Sequence, residues 1–238
     1  MGAGFRQDMT VDVAANMRVV EARIARAAQA VGRDPGEILL VAVSKAVDIG
    51  RIAQAIAAGV SALGENRVQE AKEKIARLGH PVPWHLVGTL QTNKVRDALR
   101  LFDVVHSVDR LELAREVDRR ARAEGKVMDV LVQVNVAGEP TKAGFTPDEL
   151  KPALEAITAF SALRVLGLMT LPPPVEDPEE ARPWFRQLRE LRDQAGLVHL
   201  SMGMTGDFEV AIEEGATMVR VGTAIFGPRP SPKAISAR

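Results

Sequence analysis

Eight short runs of strand-forming residues recur along the chain, and seven helix-compatible segments separate them. The runs are ILLVAVSK (38–45), ALGEN (62–66), WHLVG (84–88), VVHSVD (104–109), VLVQVN (130–135), LRVLGLMTL (163–171), VHLSMG (198–203) and MVRVGTAIFG (218–227). The helical segments cover 48–58, 67–78, 92–100, 110–124, 147–160, 178–195 and 207–214. Strands this apolar suit burial on both faces, the condition of a parallel sheet covered by helices. No long linker interrupts the alternation. The expected fold is α/β, a single (β/α)8 barrel, with a doubly wound open sheet as the alternative.

One further helix precedes the first strand. Val13, Met17, Val20, Ile24, Ala27 and Val31 recur at steps of four and three, predicting an amphipathic helix over 11–31, capped by Thr10 and ended by Gly32. It can fill the gap in the outer ring, because only the polar PRPSPKAISAR follows the last run. The chain is thus expected to be one domain over 1–238, with a core of about 10–228 and a polar tail at 229–238. Asp109 with Glu112, and Thr146 with Pro147 and Glu149, have the spacing of helix starts. Asp177, Pro178 and Glu180 begin another helix that Pro183 should disturb.

Composition narrows the function. Thirty-one basic side chains balance thirty-one acidic ones, which gives no attraction to nucleic acid or membrane. Cysteine is absent, and no run is long enough to cross a bilayer, so a cytoplasmic setting is expected. There is no tyrosine, which removes a phenolic acid or base from any mechanism.

Barrel enzymes place their chemistry at the C-terminal ends of the strands. Those ends hold Lys45, Asn66, His85 with Gly88, Ser107 with Asp109, Asn135, Met169 with Thr170, Ser201 with Gly203, and Gly222 with Thr223. Turn chemistry also favours many of these residues. The loops after the seventh and eighth strands, LSMGMTGD and VGTAIFG, bring small residues and the hydroxyls of Ser201, Thr205 and Thr223 to the frequent phosphate position of this architecture. In MVRVG, alternation sets Arg220 opposite Val219 and Val221. That guanidinium needs a partner, either an anion or pyridine nitrogen, or an internal carboxylate such as Glu65. Lys45 is either a strand-end lysine reaching solvent or an amine for a Schiff base with a phosphorylated aldehyde.

The motifs VAVSK, GENRVQEAKEK, WHLVGTLQTNK, HSVDR, QVNVAGEPTKAG, GLMTL and LSMGMTGDFEVAIEEGATMVRVGTAIFG together resemble the pyridoxal phosphate homeostasis protein family, single-domain relatives of the N-terminal barrel of alanine racemase. The resemblance spans about 10 to 228. It implies pyridoxal 5'-phosphate held covalently on Lys45, Arg220 at the pyridine nitrogen, Ser201, Gly222 and Thr223 on the phosphate, and Asn66 and Met169 near the ring. It also implies a role in cofactor homeostasis, by buffering or delivery, without an established catalytic reaction. No metal site is expected. The expected partners are the cofactor and apo pyridoxal-phosphate enzymes, with the chain a monomer or weak dimer. Family members often have an aromatic residue after GEN, where this chain has Arg67. Two alternatives stay open: a slow pyridoxal-phosphate-dependent racemase or transaminase using His85 or water as second acid, and a cofactor-free Schiff-base aldolase. Lys142, in EPTKAG, is either a solvated loop lysine or a transient contact for the cofactor.

Overall fold

The apolar runs pair in parallel and close on themselves. In the computed structural model, which describes residues 11–228, β1 (Leu39–Val43), β2 (Ala62–Glu65), β3 (Trp84–Leu86), β4 (Val104–Val108), β5 (Met128–Gln133), β6 (Leu163–Met169), β7 (His199–Ser201) and β8 (Met218–Val221) follow one another around a closed barrel. Closure is made by β8 against β1, with Arg220 opposite Val41. The helices are α1 (Val13–Ala30), α2 (Ile49–Ala57), α3 (Val68–Leu78), α4 (Val95–Leu101), α5 (Leu111–Ala123), α6 (Pro147–Thr158), α7 (Arg182–Gln194), α8 (Phe208–Glu213) and α9 (Thr223–Phe226). The open-sheet alternative is excluded by the β8–β1 pairing.

Alternation along each strand divides the core in two. Outward residues such as Leu40, Ala42, Leu63, Trp84, Leu86, Val219 and Val221 join the helices in one large apolar cluster. Inward residues form two smaller clusters inside the barrel, one of Val41, Ala62 and Val87, the other of Val104, Leu131, Met169 and Met218. Helix α1 packs on α2, α8 and α9, and so occupies the outer-ring place that the short α9 cannot fill.

Several boundaries differ from the sequence reading. Asp12 caps α1 by accepting the N–H of Ala15, while Thr10 lies outside the described residues. The helix ends at Ala30, which leaves Val31 beyond the last turn and exposed. Asp109 does not cap α5; its carboxylate takes the guanidinium of Arg110 instead, and the helix starts without a side-chain cap. Pro183 interrupts nothing. A 3₁₀ turn over Pro178–Ala181, capped by Asp177, precedes α7, and Pro183 then sits in the first turn, where a missing N–H costs no helical bond. The expected capping box of Thr146 and Glu149 is present. The eighth run is strand only to Val221, and its second half is α9. The tail at 229–238 lies outside the described residues.

Candidate functional site

Strand parity brings the central groups together. Val41 and Val43 face the barrel axis, and the same alternation carries Lys45 to the rim just past the end of β1. On β8, Arg220 faces inward and is 4% exposed. A cavity of about 390 Å³ at this end of the barrel is lined by Lys45, Asn66, Thr205, Arg220, Gly222 and Thr223, among others. Gly88 lines it too, pressed against the main chain of Asn66. A Cβ there would stand 2.3 Å from the Asn66 carbonyl oxygen, so only glycine lets β2 and β3 end this close together.

Beneath the cavity, a chain of polar side chains descends into the barrel. Arg220 Nη1 donates to Ser201 Oγ at 2.6 Å, and Nη2 donates to the Thr170 carbonyl at 2.8 Å. Ser201 Oγ lies 2.9 Å from His106 Nδ1, and His106 Nε2 lies 2.9 Å from His85 Nδ1. The guanidinium can only donate, so Ser201 Oγ accepts there, and among the described residues the one other partner for its own proton is His106 Nδ1. Ser201 gives its proton to His106 Nδ1, so His106 carries its own on Nε2 and gives it to His85 Nδ1. Both rings are neutral in this arrangement. Burial agrees: it lowers His85 to about 4 and holds His106 well below the usual imidazole range.

Arg220 forms no ion pair among the described residues. Burial pulls its guanidinium down to about 10, and the buried Asp207 opposes that pull. Glu65, the carboxylate that might have paired with it, faces the other way. It shares the outward side of β2 with Leu63 and meets α3 rather than the barrel interior.

There Glu65 belongs to a second buried network. Lys74 of α3 donates to Glu65 Oε1 at 2.6 Å, to Glu70 Oε1 at 2.7 Å and to the Ser44 carbonyl at 2.6 Å, which uses all three ammonium protons. Ser44 Oγ donates to the same Glu65 oxygen at 2.6 Å. Glu65 Oε2 is buried without a hydrogen-bond partner among the described residues, and burial raises the carboxyl above its ordinary value. Glu70 accepts the N–H of Ala46 at 2.6 Å. Ala46 adopts φ 59°, a left-handed conformation that costs a non-glycine residue about 1 kcal/mol or more. The network thus clamps the main chain on both sides of Lys45.

Of the strand-end set, Lys45, Asn66, Gly88, Gly222 and Thr223 share the cavity, and Arg220 joins them. Ser201 is fully buried one layer below, between Arg220 and His106. Met169 is buried in the inner apolar cluster, and His85 lies inside the barrel rather than on its rim. Asn135 and Ser107 hold local carbonyls, those of Glu139 and Gly88. Lys142 pairs with Glu139 and donates to the carbonyls of Leu171 and Pro172, so it ties two rim loops together. Sequence reasoning missed His106, whose inward parity with Val104 was available, and Lys74, which stands four residues after Glu70 on one face of α3.

The comparisons agree with this fold. The family model described as "Alanine racemase, N-terminal domain" matches residues 15–230. The pyridoxal phosphate homeostasis protein of Aquifex aeolicus is 47% identical over 219 residues, covering 89% of this chain and 96% of that protein. The protein of the same name from Pseudomonas aeruginosa is 44% identical, covering 91% and 96%. This chain belongs to the pyridoxal phosphate homeostasis protein family. Among solved structures, PipY of Synechococcus elongatus, described as a COG0325 family member with PLP bound, superposes with a TM-score of 0.79 at 37% identity, covering 90% of this chain and all of that one. Alanine racemase of Clostridium difficile shares the barrel fold at 19% identity and a TM-score of 0.70, covering 93% of this chain and 58% of that one.

Proposed function

We propose that this homeostasis-family chain binds pyridoxal 5'-phosphate covalently through Lys45 and acts to hold and hand on the cofactor. The observation that carries the reading is the cavity itself, which has an amine at its rim and, in its wall, a buried guanidinium with no carboxylate counter-ion among the described residues. A buried cation left so calls for an acceptor in the space it faces. A volume of about 390 Å³ lies in the range of small-molecule clefts.

When bound, the cofactor supplies an aldehyde carbon for attachment to an amine, and an electron-withdrawing ring. Lys45 is the amine. Arg220 donates to the ring nitrogen and, because a guanidinium does not give up its proton, leaves that nitrogen an acceptor. Thr205 and Thr223 offer hydroxyls to the phosphate, and Gly206 and Gly222 keep the main chain beside it uncrowded. Ser201 supports the site by fixing Arg220. Asn66 lines the cavity and would stand near the ring, while Met169 packs in the inner apolar cluster. Holding rather than turnover is supported by the chemistry available for a second proton transfer. The chain has no tyrosine, and neither His85 nor His106 lines the cavity.

Borohydride reduction followed by peptide mass spectrometry tests the anchor. The label is expected on Lys45 and absent from Lys45→Ala, whose fold survives because the side chain ends a strand at the rim. A predominant label on another lysine overturns the assignment, and multiple turnovers of any amino acid at enzymatic rates overturn the holding role.

A further inference from the structure

The space around Lys45 continues past that side chain. A wider cleft of about 740 Å³ opens between the loops that follow β2 and β3, and Lys45, Asn66, Gly88 and Thr89 line both it and the smaller cavity. The cleft's other charged groups are Arg67, Lys94 and Glu70. Glu70 is already engaged by the Ala46 N–H and by Lys74. Arg67 and Lys94 form no ion pair and no side-chain hydrogen bond among the described residues. Lys94 is half-buried, which adds a desolvation cost that an anion would offset. Helix α3 also begins in this wall without a side-chain cap, so its first N–H groups add positive potential.

We propose that this cleft seats the carboxylate of a free amino acid, with Arg67 and Lys94 as its counter-ions and the amino group directed to Lys45. The cleft's available charge is positive, which selects an anion. A guanidinium binds a carboxylate in bidentate fashion, and Lys94 adds a second, separate cation. The wall shared with Lys45 selects an anion that also carries an amine, since an amine is what exchanges at a covalently held aldehyde. That last step rests on Lys45 being the cofactor's anchor; the carboxylate seat does not.

The test is ligand-observed NMR on the full-length protein with three probes: L-alanine, propionate and ethylamine. Wild type should bind L-alanine and propionate. The double variant Arg67→Ala/Lys94→Ala should bind both roughly tenfold more weakly, about 1.4 kcal/mol, with ethylamine unchanged. Added salt should weaken propionate binding to wild type. Propionate that does not bind wild type, or that binds the double variant equally well, overturns the seat. Borohydride labelling of the same proteins separates the two readings. A label on Lys45 with indifferent propionate binding sinks the seat alone. A carboxylate seat that behaves as stated, with no label on Lys45, removes the amino-acid assignment and the cofactor anchor together.

Discussion

Two buried polar networks meet near Lys45, and they handle charge in opposite ways. Inside the barrel, hydrogen bonds run in one direction from Arg220, a cation with no counter-ion among the described residues, through Ser201 and His106 to His85, the last three neutral. In the wall, Lys74 sits between Glu65 and Glu70, and the charges oppose one another locally. The inner network presents charge to a cavity. The wall network holds the backbone that carries the amine. Burial alone therefore says little about a polar group's task; the direction in which it leaves charge uncompensated says more.

Removing the cation from each network should break this comparison most sharply. Lys74→Met leaves Glu65 buried without its cation and should cost about 3 kcal/mol at pH 8, measured from urea midpoints. The cost should shrink as pH falls, because burial already raises the Glu65 carboxyl and loss of its cation raises it further. Arg220→Met leaves neutral groups at hydrogen-bond distance and Asp207 farther off, and should cost no more than about 2 kcal/mol. Equal costs at both sites would mean that Glu65 is already neutral in the folded wild type.

A change of pH should separate the networks next. His85 binds its proton near 4 in the folded chain and near 6.5 when unfolded, so the unfolded state holds more protons between those values. Its contribution is complete above pH 6.5 and is lost as pH falls toward 4. Between pH 7 and pH 5 that loss is about 2 kcal/mol, and His106 adds to it in the same direction. Glu65 works with the opposite sign, because its raised value favours the folded state toward acid. His85→Leu/His106→Leu should therefore flatten the acid limb of the stability curve, and a limb of unchanged slope would assign it to other groups.

The smallest effect sharpens the assignment of bond direction. Ser201→Ala should cost about 1 kcal/mol and remove the donor that holds His106 in its Nε2-protonated form. Nitrogen-15 shifts should show one tautomer for both rings in wild type and a mixture at His106 in the variant. A mixture already present in wild type would contradict the one-way chain.

The comparison also shows how far the sequence could be read. Periodicity located all eight strands, the end of the first run set Lys45 at the rim, and parity turned Arg220 inward. Parity cannot tell the rim from the layer beneath it, because inward residues repeat every second position down the strand. Met169 and Ser201 do end β6 and β7, as read from the sequence, yet both are buried beside the cavity without lining it, and His85 lies inside the barrel. Glu65 was a reasonable partner for Arg220 by charge and failed by parity, which sets it on the helix side of β2. The Asp109 cap failed because Arg110 offered that carboxylate a closer donor than the helix N–H groups. None of these outcomes is local. Each depends on which neighbour a closed barrel brings to the residue.

That closure also sets an order in time. Lys45 follows the first strand made and Arg220 lies in the last, and β1 waits for β8 while the whole intervening chain is synthesised. At ribosomal speeds this wait lasts on the order of ten seconds or more. A nascent chain has its amine early and its guanidinium only at the end, so the cavity comes into being in the final act of folding. On the proposed reading, capture that needs both groups has to follow the synthesis of β8, and fragments stopped short of it carry Lys45 without Arg220.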